Sequence, residues 1–342
     1  MSENKILPSQ RIRGVLAPVV TPFKADLSPD RQRFIRHCQW LISHNCGLAV
    51  FGTNSEANSM AAAERAKLLD ALVAAGIDAS RMMPGTGCCS ITETVELTTH
   101  AVKHDCAGVL MLPPFYYKKV TEEGLYRYFS EVVQHVDDTR LKIYLYHIPP
   151  VAIVRVTRKL VERLLKAYPN TIAGMKDSSG DWNNTKTFLD AFARSGFDVF
   201  VGNESFLLAN MRNGGVGTIS ATANVNPASI HKLYREWNSA DDADQQQSKL
   251  DVVREVFSSR KFPSMIAALK LAIAIYGNDP EWARLRPPLV ELTTEQAKLL
   301  ATELKAIGFA MPLEKNDDVL LGSAGASPVV SRASRDTLKS RN

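Results

Sequence analysis

The sequence predicts an α/β protein built as a closed (β/α)8 barrel, the TIM-barrel fold, with a C-terminal helical extension. Eight short apolar runs alternate with longer amphipathic segments, the order expected for a parallel sheet covered by helices. The runs are nearly continuous in apolar residues, as expected for strands that are buried on both faces. Eight such units in 342 residues favour a closed barrel over an open doubly wound sheet. The predicted strands are 14–21, 48–53, 82–87, 108–114, 142–149, 172–177, 199–203 and 216–221.

Amphipathic segments fill the intervals between the predicted strands. In 28–45 and 62–76, apolar residues recur every three or four positions, which is the period of a helix with one buried face. More helical segments follow the last strand than a barrel needs. We therefore expect 1–12 to be an N-terminal segment, 13–225 the barrel, 226–310 helices packed on it, and 311–342 a tail. The tail is rich in Ser, Ala, Asp and Gly without periodicity, so we expect it to be disordered.

Composition and charge exclude several classes of protein. The net charge of +5 is spread along the chain without a run of Lys and Arg interleaved with aromatic residues, so no nucleic-acid partner is expected. No stretch reaches about 18 apolar residues, and the first ten residues lack the apolar region of a secretory signal. The five cysteines lack the CxxC spacing of a metal site. We expect a cytoplasmic protein with reduced thiols and no membrane segment.

Polar side chains follow several predicted strands at their C-terminal ends, where a barrel forms its active site. Strand 172–177 carries Lys176 near its end, and the neighbouring strand 142–149 carries Tyr146. Burial disfavours the charged form of a lysine, and a neutral amine adds to ketones and aldehydes to form a Schiff base. A phenol within reach, such as that of Tyr146, can then transfer protons. The alternative for Lys176 alone is a solvated or salt-bridged residue, since Asp177 follows it directly.

Five short motifs occur in order on these strands, namely GTNSE, FYY, YHIP, GMKDSSG and SATANV. From about residue 13 to about residue 308, the chain resembles the dihydrodipicolinate synthase/N-acetylneuraminate lyase family of class I, Schiff-base-forming, pyruvate-dependent aldolases and lyases. The resemblance implies that Lys176 forms a Schiff base with the C2 carbonyl of a 2-keto acid and that Tyr146 is the general acid and base. It further implies that Thr53 relays the proton and that Tyr117, reaching in from a neighbouring subunit, completes the relay.

The resemblance also implies how the keto acid is bound. Thr53 and Asn54 match the loop whose backbone amides hold the substrate carboxylate. Gly202 and Ile219 match positions that line the pocket. A tyrosine shared between subunits implies a homodimer or a homotetramer. The expected ligand is a small-molecule 2-keto acid, and no cofactor is implied because the lysine itself supplies the electron sink. The strand ends carry no carboxylate and histidine cluster suited to a metal.

Departures from the usual family motifs bear on the reaction. Synthases that use aspartate semialdehyde typically carry an arginine that binds the carboxylate of this second substrate. This chain has Val151 at that position. Asn54 and Ser178 resemble instead the 4-hydroxy-2-oxoglutarate aldolase and 2-keto-3-deoxy sugar-acid aldolase branches, where they can donate hydrogen bonds to a polar substrate tail. Ser55 replaces the usual glycine of the GTNSE loop, so a side chain must fit into a tight turn.

The expected function is cleavage of a 4-hydroxy-2-keto acid to pyruvate and an aldehyde by a class I aldolase. Two other reactions of the family stay open: 4-hydroxy-tetrahydrodipicolinate synthesis, which Val151 disfavours, and dehydration of a 2-keto-3-deoxy acid. An alternative of another class is a non-catalytic keto-acid-binding regulator. The presence of Lys176, Tyr146, Thr53 and Tyr117 together argues against that alternative.

Overall fold

The computed structural model of the chain describes residues 11–311, which form one parallel sheet surrounded by helices. The predicted N-terminal segment up to residue 10 and the predicted tail from residue 312 lie outside the described residues. Within residues 11–311 the sheet has seven strands: β1 (Gly14–Ala17), β2 (Gly47–Leu48), β3 (Val109–Met111), β4 (Ile143–His147), β5 (Ile172–Asp177), β6 (Asp198–Val201) and β7 (Gly217–Ile219). They pair in the order β2-β1-β7-β6-β5-β4-β3, and every pair is parallel.

The described residues also form twelve α-helices. In chain order these are α1 (Arg31–Ser43), α2 (Ala62–Ala74), α3 (Ile91–Lys103), α4 (Glu122–Val136), α5 (Pro149–Ala152), α6 (Arg158–Ala167), α7 (Trp182–Phe192), α8 (Leu207–Arg212), α9 (Pro227–Glu236), α10 (Ala243–Phe257), α11 (Met265–Tyr276) and α12 (Thr294–Ala306). Ser90, Thr121 and Thr157 begin α3, α4 and α6, because each side chain accepts a hydrogen bond from a backbone N–H of the first turn. Between residues 11 and 311, no helix is both long enough and apolar enough to cross a membrane.

The predicted third strand, 82–87, closes the barrel without forming a regular ladder. It makes isolated parallel bridges to Leu48 of β2 and to Leu110 of β3. The Met83 N–H donates to Leu48 O at 2.8 Å, and the Leu110 N–H donates to Pro84 O at 2.8 Å. Pro84 has no N–H to donate, so the ladder is interrupted at that residue. The predicted eight-membered barrel is confirmed, but its third member is an irregular segment and several strands are shorter than predicted.

Side chains alternate between the inside of the barrel and the layer beneath the helices, because successive strand residues point to opposite faces. Tyr144, Tyr146 and Phe200 lie inside, whereas Leu145 and Met175 pack outward in the larger cluster beneath the helices. All five are at most 4% exposed. Burial on both faces explains why the strands read as continuous apolar runs in the sequence.

A buried acid fills the end of the barrel where the strands begin. Asp198, the first residue of β6, is 1% exposed. Its carboxylate lies 3.3 Å from Arg11 Nη1 and 3.4 Å from Arg13 Nη2, and the Tyr144 hydroxyl donates to it at 3.4 Å. Burial raises the pKa of Asp198, and the charges of the two arginines oppose that shift. These contacts close one end of the barrel, so the strand C-termini form the end that is available for a site.

The C-terminal helices pack on that other end. α9 contacts β1 and completes the ring of helices, so α10, α11 and α12 lie beyond the ring. These three helices share an apolar cluster with residues of the loops after β1 and β7, including Val20, Ala221 and Val225. Met311, the first residue of the predicted tail, is buried in the same cluster. The predicted C-terminal extension thus contacts the loops of the barrel mouth, while the predicted domain bounds stay a prediction.

Candidate active site

Two adjacent strands place a lysine beside a tyrosine inside the barrel mouth. In the parallel pair of β4 and β5, Tyr146 lies opposite Lys176, and His147 lies opposite Asp177. Lys176 is 3% exposed and Tyr146 is 4% exposed. Lys176 Nζ lies 4.4 Å from the centroid of the Tyr146 ring. Because successive residues point to opposite faces, the first pair points into the barrel and the second pair points toward the helices.

Asp177 does not neutralise the lysine. Its carboxylate faces the helical layer, where it accepts hydrogen bonds from Asn184 Nδ2 at 3.0 Å and Thr185 Oγ1 at 2.6 Å. Within residues 11–311 no acidic side chain lies at ion-pair distance from Lys176 Nζ. The alternative interpretation of Lys176 as a solvated or salt-bridged residue is therefore wrong. The amine is buried and lies over the ring of Tyr146.

His147 also belongs to the outer layer. It is 2% exposed, and its Nδ1 accepts a hydrogen bond from the Val156 N–H at 3.0 Å. Burial lowers the pKa of His147, and the charge of Asp177 opposes that shift. The imidazole therefore supports the chain after β4 and does not reach the pocket.

The loop after β2 brings a hydroxyl to the tyrosine. Thr53 Oγ1 lies 3.3 Å from Tyr146 OH, within hydrogen-bond distance, and Asn54 beside it is half-buried. Ser55 is fully buried, and its hydroxyl accepts a hydrogen bond from the Gly52 N–H at 3.2 Å. The side chain that replaces the usual glycine thus bonds within the loop and leaves Thr53 facing Tyr146.

The last residue of the GTNSE loop anchors the loop to the C-terminal helices. Glu56 has a left-handed backbone with φ of 56°, which is uncommon for a residue other than glycine. Its Oε1 accepts from Lys270 Nζ of α11 at 2.7 Å, and both side chains are fully buried. Its Oε2 accepts from the Arg286 N–H at 3.0 Å. Burial lowers the pKa of Lys270, and the Glu56 carboxylate opposes that shift.

Ser178 and Gly202 occupy adjacent strand ends and fit each other closely. The Ser178 N–H donates to His147 O at 2.7 Å, and the Gly202 N–H donates to Asp177 O at 2.7 Å, which extends the sheet beyond its strands. A Cβ at Gly202 would lie 1.9 Å from Ser178 Oγ, so only glycine fits beside this hydroxyl. Ile219 is fully buried in the same interior cluster as Tyr146. All three predicted pocket positions are therefore at the mouth or inside the barrel.

Two predicted site residues lie on the surface of the single chain. Tyr117 is 73% exposed, and its ring stacks edge-to-face on that of the equally exposed Tyr116, with centroids 5.3 Å apart. Val151, in the short helix α5, is 60% exposed. The structure does not bring Tyr117 to Tyr146 within one chain. Its predicted place in the site of a neighbouring subunit stays a prediction.

A buried glutamate organises the loop after β7. Glu204 is 1% exposed and accepts hydrogen bonds from the hydroxyls of Ser220 and Thr222. Arg254 of α10 donates to the same carboxylate at 3.0 Å. The SATANV motif is therefore held from outside the pocket, and Ser220 and Thr222 shape the loop.

A small cavity of about 20 Å³, the room of about one water molecule, lies beside the GTNSE loop. Thr53, Tyr146 and Arg65 of α2 contribute to its lining. Arg65 is 5% exposed and donates to Cys88 Sγ at 3.1 Å, and its Nε has no partner among the described residues. This guanidinium places a positive charge beside the cavity. A larger cleft of about 430 Å³ lies outside the barrel near α1 and α11, and no predicted site residue lines it.

Arg65 and Lys270 were not predicted from the strand ends, because both lie on helices. A partial signal exists in the sequence. Arg65 is spaced three and seven residues from Leu68 and Leu72, so it lies on the same apolar face of α2. Lys270 lies inside the apolar segment of α11. A charged residue on an apolar stripe is rarely buried without a specific reason, so both positions were identifiable as unusual. Their partners were not identifiable, since Glu56 is 214 residues away from Lys270.

Comparison with known proteins gives the family of the chain. Residues 11–307 match the Dihydrodipicolinate synthetase family. The chain is 30% identical over 297 residues to an uncharacterized DapA-like lyase of Chloroflexus aurantiacus. The alignment covers 86% of this chain and 97% of the relative. The chain is also 33% identical over 307 residues to a 4-hydroxy-tetrahydrodipicolinate synthase of Thermus thermophilus. That alignment covers 89% of this chain and 98% of the relative.

A solved structure shares the fold. It is the crystal structure of YagE, a prophage protein of the dihydrodipicolinic acid synthase family from E. coli K12 in complex with pyruvate. The two are 26% identical with a TM-score of 0.79, over 87% of this chain and 99% of that chain. The family match over residues 11–307 extends through the barrel and through α10, α11 and α12. The chain therefore belongs to the dihydrodipicolinate synthetase family and is an enzyme of its lyase and synthase class.

Proposed function

We propose that the enzyme is a class I aldolase that cleaves a 4-hydroxy-2-keto acid to pyruvate and an aldehyde. The observation that carries the proposal is the pairing of Lys176 with Tyr146 in register on β4 and β5, with Nζ 4.4 Å from the ring centroid. A buried amine without an acidic partner can attack the ketone of a substrate. A phenol beside the amine can transfer protons to and from the same substrate molecule.

The proposed reaction begins with attack of Lys176 Nζ on the C2 carbonyl. The carbinolamine loses water, and the resulting iminium acts as an electron sink. Tyr146 then takes the proton of the C4 hydroxyl while the C3–C4 bond breaks, and the electron pair of that bond moves into an enamine. Protonation of the enamine at C3 and hydrolysis of the imine release pyruvate. Thr53, whose Oγ1 lies 3.3 Å from Tyr146 OH, is in place to relay the proton.

Substrate binding in this proposal uses backbone amides at the mouth. The amides of Thr53 and Asn54 hold the keto-acid carboxylate, since oriented backbone N–H groups form anion sites. Gly202 and Ile219 shape the wall, and the Ser178 hydroxyl beside Gly202 contacts the polar tail. No metal or organic cofactor takes part in these steps, because the iminium itself withdraws the electrons.

Val151 favours cleavage over synthesis. The residue lies just after β4, at the position where the synthase motif has an arginine, and an apolar side chain cannot bind a carboxylate in the bidentate way. The second candidate is 4-hydroxy-tetrahydrodipicolinate synthesis, which is supported by the printed name of the Thermus thermophilus relative. Dehydration of a 2-keto-3-deoxy acid uses the same iminium, but a base removes a C3 proton to form the enamine, and the C4 hydroxyl is then protonated and leaves as water.

Tyr117 connects the proposed reaction to assembly. Its exposure of 73% in the single chain fits a side chain that is covered by a second subunit. In the proposed homodimer or homotetramer, the Tyr117 hydroxyl extends the relay of Tyr146 and Thr53 in the partner. The regulator alternative would keep the pocket without needing such a relay.

The test is a comparison of reactions on one preparation of the enzyme. Pyruvate release is measured with 4-hydroxy-2-oxoglutarate and with 2-keto-3-deoxy sugar acids, and pyruvate consumption is measured with aspartate semialdehyde. The proposal predicts release of pyruvate from at least one 4-hydroxy-2-keto acid and its loss in Lys176→Met. Turnover confined to aspartate semialdehyde would support the synthase, and binding of pyruvate without any turnover would support the regulator.

A further inference from the structure

Three side chains on the outside of the barrel converge on one point. Asp70 lies on α2, His100 lies in the last turn of α3, and His104 caps the C-terminal end of α3. One possible ligand atom from each lies within 4.8 Å of the others. We propose that this cluster is a binding site for one divalent cation of the zinc class, and that the bound cation joins α2 to α3.

The position of the cluster separates it from the proposed aldolase chemistry. Both helices follow strand segments, so they begin near the barrel mouth and run toward the opposite end. Asp70, His100 and His104 lie in the second half of their helices or just beyond. The expectation of no metal rests on the strand ends, on the spacing of the cysteines and on the scatter of the histidines along the chain, whereas this cluster forms only where α2 and α3 pack together. The cation in this proposal stabilises the outer layer and takes no part in the reaction.

The two histidines are arranged as a chelating pair. They are four residues apart, so they lie on one face of the helix and one turn from each other. Their rings are edge-to-face, with centroids 4.7 Å apart and an interplanar angle of 84°. Asp70 Oδ1 lies 2.9 Å from His100 Nε2 and 2.8 Å from His104 Nε2. A single carboxylate oxygen thus meets two imidazole nitrogens.

Hydrogen bonding alone does not satisfy this arrangement. Asp70 Oδ1 accepts a hydrogen bond from His104 Nε2. His100 Nε2 is buried and has no hydrogen-bond partner among the described residues, although Asp70 Oδ1 lies 2.9 Å from it. Buried polar atoms in folded proteins almost always have a partner. A cation between the three atoms gives His100 Nε2 that partner and replaces the proton between Asp70 and His104.

The ligand set selects the class of metal. Two imidazoles and one carboxylate are typical ligands of Zn²⁺, and Co²⁺ and Ni²⁺ bind similar sets. Zinc ligands at about 2.0 Å from the metal lie about 3.3 Å from each other, so the side chains must separate by about 0.5 Å. Asp70 is 51% exposed and can make that adjustment, while His100 and His104 are 28% and 25% exposed. Water can therefore complete the coordination from the solvent side.

The test is titration of the full, chelator-treated chain with ZnCl2 by isothermal calorimetry. The proposal predicts saturable binding of one Zn²⁺ per chain and a rise in Tm with added Zn²⁺, because a ligand of the native state stabilises it. His100→Ala and His104→Ala are each expected to weaken binding at least about tenfold, the lower bound seen even for outer-sphere partners of a metal site. Far-UV circular dichroism verifies that each variant is folded.

His135→Ala is the matched control. His135 is exposed on α4 with its Nδ1 3.5 Å from Glu131 Oε2, so it presents one histidine and one carboxylate without the second imidazole. The His135→Ala substitution is expected to leave the Zn²⁺ affinity unchanged. Absence of saturable binding, or binding that survives in the His100→Ala/His104→Ala double variant, would overturn the proposal. A thiolate charge-transfer band with Co²⁺ would place the metal on a cysteine such as the exposed Cys89 and would overturn it as well.

Discussion

Glu56 and Lys270 form an ion pair with a 2.7 Å contact whose two side chains are fully buried, and the pair joins the GTNSE loop to α11. The loop also carries Thr53, whose hydroxyl lies within hydrogen-bond distance of Tyr146 OH. The C-terminal helices therefore hold the position of a residue in the candidate site, although they contribute no residue to the proposed reaction. This pair explains how a left-handed glutamate is maintained in a tight loop.

Removal of one partner of this pair should destabilise the enzyme strongly. We expect Lys270→Met to lower the free energy of unfolding by about 3–5 kcal/mol, because it leaves a buried carboxylate without its counter-ion. The measurement is equilibrium unfolding in urea. The double variant Glu56→Leu/Lys270→Met is the control and should lose less stability than Lys270→Met, since it leaves no unpaired charge. A single variant as stable as wild type would contradict this role of the pair.

The phenol of Tyr146 should matter for turnover and little for folding. We expect Tyr146→Phe to lower kcat by about 10²- to 10⁴-fold, the usual contribution of a positioned general acid and base. Steady-state kinetics with the best 4-hydroxy-2-keto acid gives the value. Tyr168→Phe also loses a hydroxyl, which on the outer surface contacts Gln134 Nε2 at 3.0 Å, and should keep normal kcat. Equal kcat in wild type and Tyr146→Phe would remove Tyr146 from the mechanism.

Gly202 should tolerate no side chain while Ser178 is present. A Cβ at Gly202 would meet Ser178 Oγ at 1.9 Å and Ser178 Cβ at 2.8 Å. We expect Gly202→Ala to lower the free energy of unfolding by about 1–3 kcal/mol through overpacking. Ser178→Gly in the same chain removes both contacts, so the double variant should recover part of the loss. Urea unfolding of the single and double variants measures this, and no recovery in the double variant would exclude the clash as the cause.

Stability should fall below neutral pH in part because of His37. The residue is 4% exposed on α1, with its Nε2 3.3 Å from Asn224 Oδ1, and burial lowers its pKa to about 4. The unfolded chain takes up a proton near pH 6.5, so the contribution of His37 is complete above that pH and is lost as the pH falls toward 4. Between pH 7.5 and pH 5, we expect His37 to account for a loss of about 2 kcal/mol.

The pH effect is measured by urea unfolding of wild type and His37→Gln at both pH values. The variant should lose about 2 kcal/mol less than wild type over this interval, since glutamine does not titrate. Identical losses in the two proteins would show that other groups cause the dependence.

The barrel and the core of the candidate site were predictable because they follow from local patterns. The predicted strands place Lys176 and Tyr146 near adjacent strand ends. Because successive strand residues point to opposite faces, Tyr146 points into the barrel and His147 points away from it. The irregular third segment was not predictable from apolar content, since Pro84 interrupts its ladder. The pairing of Glu56 with Lys270 depends on tertiary packing across 214 residues, which no local pattern encodes. The histidine spacing in α3 was visible in the sequence, but Asp70 becomes its partner only when α2 and α3 pack together.

In the proposed mechanism, Lys176 is the amine that forms a Schiff base with a keto acid. The most direct measurement is intact-mass spectrometry of the enzyme after borohydride reduction in the presence of pyruvate. We expect one stable pyruvate adduct per chain in wild type, located on Lys176 by peptide mapping, and no adduct in Lys176→Ala. Lys142→Ala is the control and should keep the adduct. Among the described residues, the hydrogen bonds of the Lys142 amine go to backbone carbonyls. No adduct in wild type, or an adduct that persists in Lys176→Ala, would show that Lys176 is not the Schiff-base lysine.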